Sequence, residues 1–292
     1  MAKKGKFEYM SSNEWLGDAT THFMKSGDAF RSPDNKEQEA LASLLPRIAN
    51  GVKVEYDIGY DIPDKIHGYK YTDFLTKAIY VAPCQHSVAL DNIREVAERP
   101  PTDEGRRIFK ELQASITDKY ILMNDDEDYD DVKELIVLPG TNLLVKEVVD
   151  LPKIDELVRN GAYVKLHPIT SEVWRTMLTN RWGSRCIPAD APLYPILRNC
   201  EKVYFTLSSE TGMAATLLGK KLGNINNDKP SRTNFEFIYR GLDKAQGKLV
   251  DKFTALLSYP ESGIITVYHK DPEACIRRFF DAMKRFPHKE TA

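Results

Sequence analysis

From Glu134 onward the chain repeats one pattern: a short apolar run, a loop, then a segment with helical spacing. "ELIVLPGTN" reads as strand then loop, "LPKIDELVRNG" as a helix with a glycine stop, "AYVKLHP" as a strand cut by Pro168, and "TSEVWRTMLTN" as a helix. "APLYPILRNC", "KVYFTL", "SETGMAATLLGKK" and "LGNIN" continue as helix, strand, helix and strand. Strands alternating with helices predict a parallel sheet with helices on both faces, because parallel neighbours need a crossover between them. The fold class that follows is α/β.

The first half is less regular. "NKEQEALASLLPRIANG" has helical spacing with Pro46 ending or kinking it and Gly51 as a stop. "VKVEYDI", "KAIYVAP" and "KYILM" read as strands, "SVALDNIREVAER" and "DEGRRIFKELQASI" as helices. A dense acidic run from Asp125 to Glu134 makes the natural boundary. The expected segments are 1–131, 132–270, and a last helix in 271–292 that packs back on the rest. In that helix Cys275, Ile276, Phe279, Phe280, Met283 and Phe286 recur every three or four residues, as a packing face does. A length of 292 residues suits two α/β domains.

Several classes lose support. The four cysteines (Cys84, Cys186, Cys200, Cys275) form no C-x-x-C pair, which argues against a zinc ribbon or a disulfide framework and for a cytosolic compartment. The N-terminus lacks the apolar core of a signal peptide, and no apolar run reaches the length of a membrane span. G-x-G-x-x-G and G-x-x-x-x-G-K-[ST] are both absent.

In an open parallel sheet, ligands bind beyond the carboxyl ends of the strands. Three loops are expected there: Pro139–Asn142, His167–Thr170 and Ser208–Thr211. Backbone N–H groups at a helix start, with serine hydroxyls beside them, suit an anion. Ser208 and Ser209 also suit a plain helix cap, and Gly212, Ala214 and Ala215 suit close helix–sheet packing. An imidazole at His167 can donate to a phosphate oxygen, and Lys165 shares its edge.

"YVKLHPIT", followed about forty residues later by "CEKVYFTLSSETGMAATLLGKKLG", resembles the C-terminal half of GT-B glycosyltransferases of the polysialyl-, capsule- and glycerophosphate-transferring group. The likeness covers roughly Glu134 to Asn227 and departs at "GKKL", where Gly-Lys-Pro is usual. It implies two Rossmann-like domains facing across a cleft, a nucleotide-sugar donor (a UDP-sugar foremost), no required cofactor and no resident metal. It makes His167, Ser208 and Ser209 donor-binding, with Lys165, Thr141, Asn142 and Glu210 around the same group.

The acceptor half then needs a base for the acceptor hydroxyl's proton. Asp57, Asp61, Asp64, His67 and His86 lie in suitable loops, with Asp61 and His86 put forward. "KIHGYKYTDF" interleaves Lys65, His67, Tyr69, Lys70 and Tyr71, a strip that suits phosphates and stacked bases, or an ordinary amphipathic loop. The compact chain is also similar in style to phage glycosyltransferases that modify hydroxymethylated pyrimidines, so double-stranded DNA carrying hydroxymethylcytosine is one expected acceptor and a surface glycan the other. A rival GT-A reading takes Asp126-x-Asp128 after "KYILM" as a divalent-metal site. That reading leaves the His-Pro and Ser-Ser strands without a role. A GT-B-scaffold epimerase or hydrolase and a non-catalytic nucleotide-binding module complete the alternatives.

Overall fold

The computed structural model describes residues 35–56, 68–118, 129–144, 148–228 and 233–286. It divides into two compact units, one holding Asp118–Ser231 and the other holding Asp34–Thr117 together with Arg232–Ala292. These units do not coincide with the consecutive segments 1–131, 132–270 and 271–292 read from the sequence, since 232–292 joins 34–117.

Helix α1 (Lys36–Ser43) stops before Pro46, and α2 (Leu45–Ile48) restarts with that proline in its first turn. There its missing N–H costs nothing, because the first N–H groups of a helix have no intrahelical partner. Strands β1 (Val54–Tyr56), β2 (Tyr69–Phe74) and β3 (Ala78–Pro83) follow, then α3 (His86–Ala97) and α4 (Asp103–Ser115). The turn between β2 and β3 holds Leu75 at φ 50° and Thr76 at φ 56°. Non-glycine residues seldom adopt this left-handed conformation, least of all a β-branched one. So short a turn forces an antiparallel pair, with Phe74 opposite Ala78.

The second stretch is regular. Strand β4 (Glu134–Val137) leads to the short α5 (Thr141–Leu144) and α6 (Leu151–Arg159), then β5 (Tyr163–Lys165), α7 (Glu172–Trp182) and the two-residue β6 (Cys186–Ile187). Helix α8 (Leu193–Asn199), β7 (Lys202–Phe205), α9 (Thr211–Leu217) and β8 (Lys221–Asn224) complete it. The five strands are all parallel, in the order β6-β5-β4-β7-β8. The chain lays β5 and β6 to one side of β4, then returns to lay β7 and β8 on the other. Ile136, Val164, Leu166, Ile154, Leu178, Trp182 and Ile225 join in one apolar cluster of this unit.

The chain then rejoins the other unit through α10 (Asn234–Lys244), α11 (Leu249–Ser258), β9 (Ile264–Thr266) and α12 (Pro272–Met283). Strand β9 pairs antiparallel with β3, giving the order β1-β2-β3-β9, in which only β1 and β2 run parallel. Among the described residues this sheet is mixed, so the expected second Rossmann-like sheet is corrected. The hairpin turn and the long return to β9 are its cause. Helix α12 buries Cys275, Ile276, Phe279 and Met283 against Leu41, Leu45, Tyr69, Val81 and Ile265, so its periodic face is core. Gly241 of α10 lies so close to α3 that a Cβ there would meet Ile93 Cγ2 at 2.5 Å. No helix among the described residues is long and apolar enough to cross a membrane.

Candidate functional site

The strand order brings the three sequence-read loops side by side. They leave β5, β4 and β7, three neighbouring strands of the parallel sheet. Between β4 and β7 the strand order reverses direction, and open parallel sheets bind ligands in the crevice at such a reversal. The ladder runs one residue past the strands, with Leu138 N–H donating to Lys165 O (3.1 Å) and Ile225 N–H to Phe205 O (3.1 Å).

His167 is half-buried at the mouth of β5. Its Nδ1 accepts the Ile169 N–H at 3.2 Å, and its carbonyl accepts the Thr170 N–H at 2.9 Å. Pro168 sits second in that turn, where its fixed φ is favourable. With Nδ1 acting as acceptor, the proton of the neutral ring resides on Nε2, a hydrogen-bond donor. Arg175, which sequence reasoning missed, braces the loop from α7. Its guanidinium donates to Thr170 O (2.7 Å) and Pro168 O (3.0 Å).

The turn after β7 is a small hydroxyl network. Thr206 Oγ1 and Ser208 Oγ lie 2.8 Å apart, as do Ser209 Oγ and Thr211 Oγ1. Ser209 Oγ accepts the Thr211 N–H at 3.2 Å, and the Ser209 N–H donates to Thr206 O at 3.0 Å. Both serines are half-buried, so a polar ligand can reach them by exchanging one hydroxyl partner. Glu210 occupies the cap position, its carbonyl accepting from Met213 and Ala214. All seven residues of α9 are buried, so Gly212, Ala214 and Ala215 do serve close packing.

Two residues expected to touch a donor are turned inward. Thr141 is fully buried. Its Oγ1 donates to Ile169 O (3.3 Å) and accepts the Ser171 N–H (2.7 Å), so it ties the loop after β4 to the loop after β5. Lys165 is 2% exposed. Its ammonium donates to Leu166 O (2.7 Å) and Ala189 O (3.0 Å) rather than standing in the crevice. Burial pushes its pKa down to about 7, against the opposing pull of the Asp118 and Asp190 charges. Asp118 caps the start of α8 through the Leu193 and Tyr194 N–H groups (3.0 and 3.4 Å), and burial holds its carboxyl above the usual range. The backbone of Asn142 lies in α5.

In the other unit, Tyr69 is a core residue, its ring edge-on to Phe279 and Phe280. That corrects its expected role as a stacking platform, because strand β2 alternates and turns this side chain inward. Tyr71 packs edge-on to Tyr56, and Lys70 pairs with Glu55 at 3.3 Å. Lys53 and Lys70 together hold the Glu55 carboxyl below its usual range. His86 stands in the first turn of α3, its ring 5.0 Å from that of Phe237. Asp57, Asp61, Asp64, Lys65 and His67 lie outside the described residues, as do Asp126 and Asp128. The Cys84 N–H donates to Gly68 O at 3.0 Å, which brings the position after His67 beside the loop that leads to His86.

Neither a protein-family model nor a curated protein matches the chain. Solved structures that resemble it in part include two transferases. KpsC of Thermosulfurimonas dismutans, beta Kdo 2,7 transferase, is 12% identical with a TM-score of 0.42, over 84% of this chain and 89% of that one. KpsC of the same organism, beta Kdo 2,4 transferase, is 13% identical with a TM-score of 0.42, over 73% of this chain and 80% of that one. Overlap this loose leaves the chemistry of the site to its own residues.

Proposed function

We propose that the protein is a glycosyltransferase that takes a nucleotide sugar as donor and an acceptor hydroxyl as its second substrate. The observation that carries this reading is the adjacency of the His167 loop, the loop after β4 and the Ser208–Ser209 turn at the strand-order reversal of one parallel sheet. An imidazole Nε2–H and two serine hydroxyls there suit the oxygens of a diphosphate. Such donors act as fixed dipoles on charge that grows on the leaving group as the glycosidic bond breaks. The sequence likeness to GT-B enzymes supports the same reading. Transfer is proposed to need no metal, so EDTA should leave turnover unchanged. The candidates for the acceptor's base are Asp61 and His86.

Incubation with UDP-sugars, with and without acceptor, tests the reaction class. Product only in the presence of acceptor means transfer, and product without acceptor means an epimerase or hydrolase. Parallel arms with hydroxymethylcytosine DNA and with a surface glycan separate the two acceptors. His167→Ala and Ser209→Ala should each weaken UDP binding by roughly tenfold or more, since a hydrogen bond to a charged group contributes about 1.5–3 kcal/mol. UDP affinity unchanged in both variants refutes the placement of the donor site.

A further inference from the structure

We infer that Asn226 is a positioning residue for the Ser208–Ser209 turn, acting through the backbone N–H of Leu207; this rests on the donor-site reading above. Asn226 lies just beyond β8. Its Oδ1 accepts the Leu207 N–H at 2.7 Å. Leu207 follows the last residues of β7 and precedes the two serines, so the direction of its N–H sets how the turn leaves the sheet.

The same residue reaches the loop on the other side of the reversal. Its backbone bridges antiparallel to Val149. The flanking bonds run from Asp150 N–H to Ile225 O (2.9 Å) and from Asn227 N–H to Val148 O (3.0 Å). Residues 148–150 follow α5, the helix that opens after β4. The asparagine thus holds the β7 turn by its side chain, while the backbone of its two neighbours, Ile225 and Asn227, holds the chain beyond the β4 loop. Its own N–H is fixed by Asn224 Oδ1 at 2.7 Å. The amide orientation is determined, because the Leu207 donor must face an acceptor. That leaves Nδ2 buried and without a hydrogen-bond partner among the described residues. A buried orphan donor is destabilising. The hydrogen bonding of this side chain among the described residues is therefore that of its oxygen.

Because the bridges to residues 148–150 are backbone bonds, Asn226→Ala should fold. Asn226→Asp keeps an acceptor for Leu207 and is the conservative control. Two measurements on the full-length protein decide the inference. Amide exchange followed by NMR should show Leu207 protection lost in Asn226→Ala and kept in Asn226→Asp. UDP titration should show Asn226→Ala roughly tenfold weaker than wild type. Asn226→Asp puts a carboxylate, which salt screens little when buried, beside the diphosphate site, so that variant is read by amide exchange alone. Leu207 protection unchanged in Asn226→Ala overturns the inference, and so does UDP binding in Asn226→Ala as tight as in wild type. A wild-type protein that binds no UDP refutes the donor reading instead, and the exchange measurement then decides on its own whether Asn226 sets the turn.

Discussion

Replacing Lys165 by methionine should flatten the dependence of stability on pH between neutrality and pH 9. The ammonium is buried, with two carbonyls as hydrogen-bond partners, and its pKa falls from 10.5 to about 7 because burial disfavours the charge. Between those values the unfolded chain holds a proton that the folded chain has released. Stability therefore rises with pH across the window and is lost as pH falls back through it. At about 1.4 kcal/mol per pKa unit, the whole fall corresponds to about 5 kcal/mol, of which about 2 kcal/mol develops between pH 7 and pH 9. Asp118 works in the opposite sense, since its raised carboxyl favours the folded state at low pH, and its contribution is lost as pH rises above 3.8. The buried thiols of Cys200 and Cys275 are also pushed up, but they are common to both proteins and cancel in the comparison; Cys186, which burial raises and the Lys165 charge lowers, rises further in Lys165→Met. Methionine leaves the carbonyls of Leu166 and Ala189 without their donor, which offsets the whole curve but not its slope. The assay is urea unfolding of wild type and Lys165→Met at pH 7, 8 and 9. Parallel curves would refute the reasoning, because a lysine with an ordinary pKa contributes no slope below pH 9.

Thr141→Val should cost about 1–3 kcal/mol in urea unfolding, because the buried Ser171 N–H loses its acceptor, and Thr141→Ser should recover most of it. Gly241→Ala should lower stability by about 1–3 kcal/mol, read as a fall in thermal midpoint, since the new methyl group meets Ile93 at a distance that forces α10 and α3 apart.

The parallel sheet was legible because its strands are bounded runs such as "ELIV" and "KVYF", separated by helices with clear periodicity. The three loops followed from the strand ends alone. Strand β6 was not legible, because two residues carry no alternation. Strand β2 was read as a loop because its polar and aromatic residues mix. Its burial comes from pairing with β3 and from α12, which lies far along the chain. Lys165 illustrates a limit of edge arguments. A residue at the last position of a strand shares the edge with its loop, but strand alternation and the carbonyl of Ala189 decided where its ammonium went. Asn226 left no sequence signal beyond an asparagine after a short strand, since its function depends on a partner on the neighbouring strand's loop.

The return of β9 to the first sheet has a consequence for biosynthesis. Multidomain chains generally fold from the N-terminus as they leave the ribosome. Here the unit that the chain enters with α1 cannot complete its sheet until Ile264–Thr266 has emerged, whereas the parallel sheet of the other unit is complete in sequence at Asn224. The parallel sheet is therefore first able to close, and the paired β2–β3 hairpin must wait with an open edge while about 180 further residues are made.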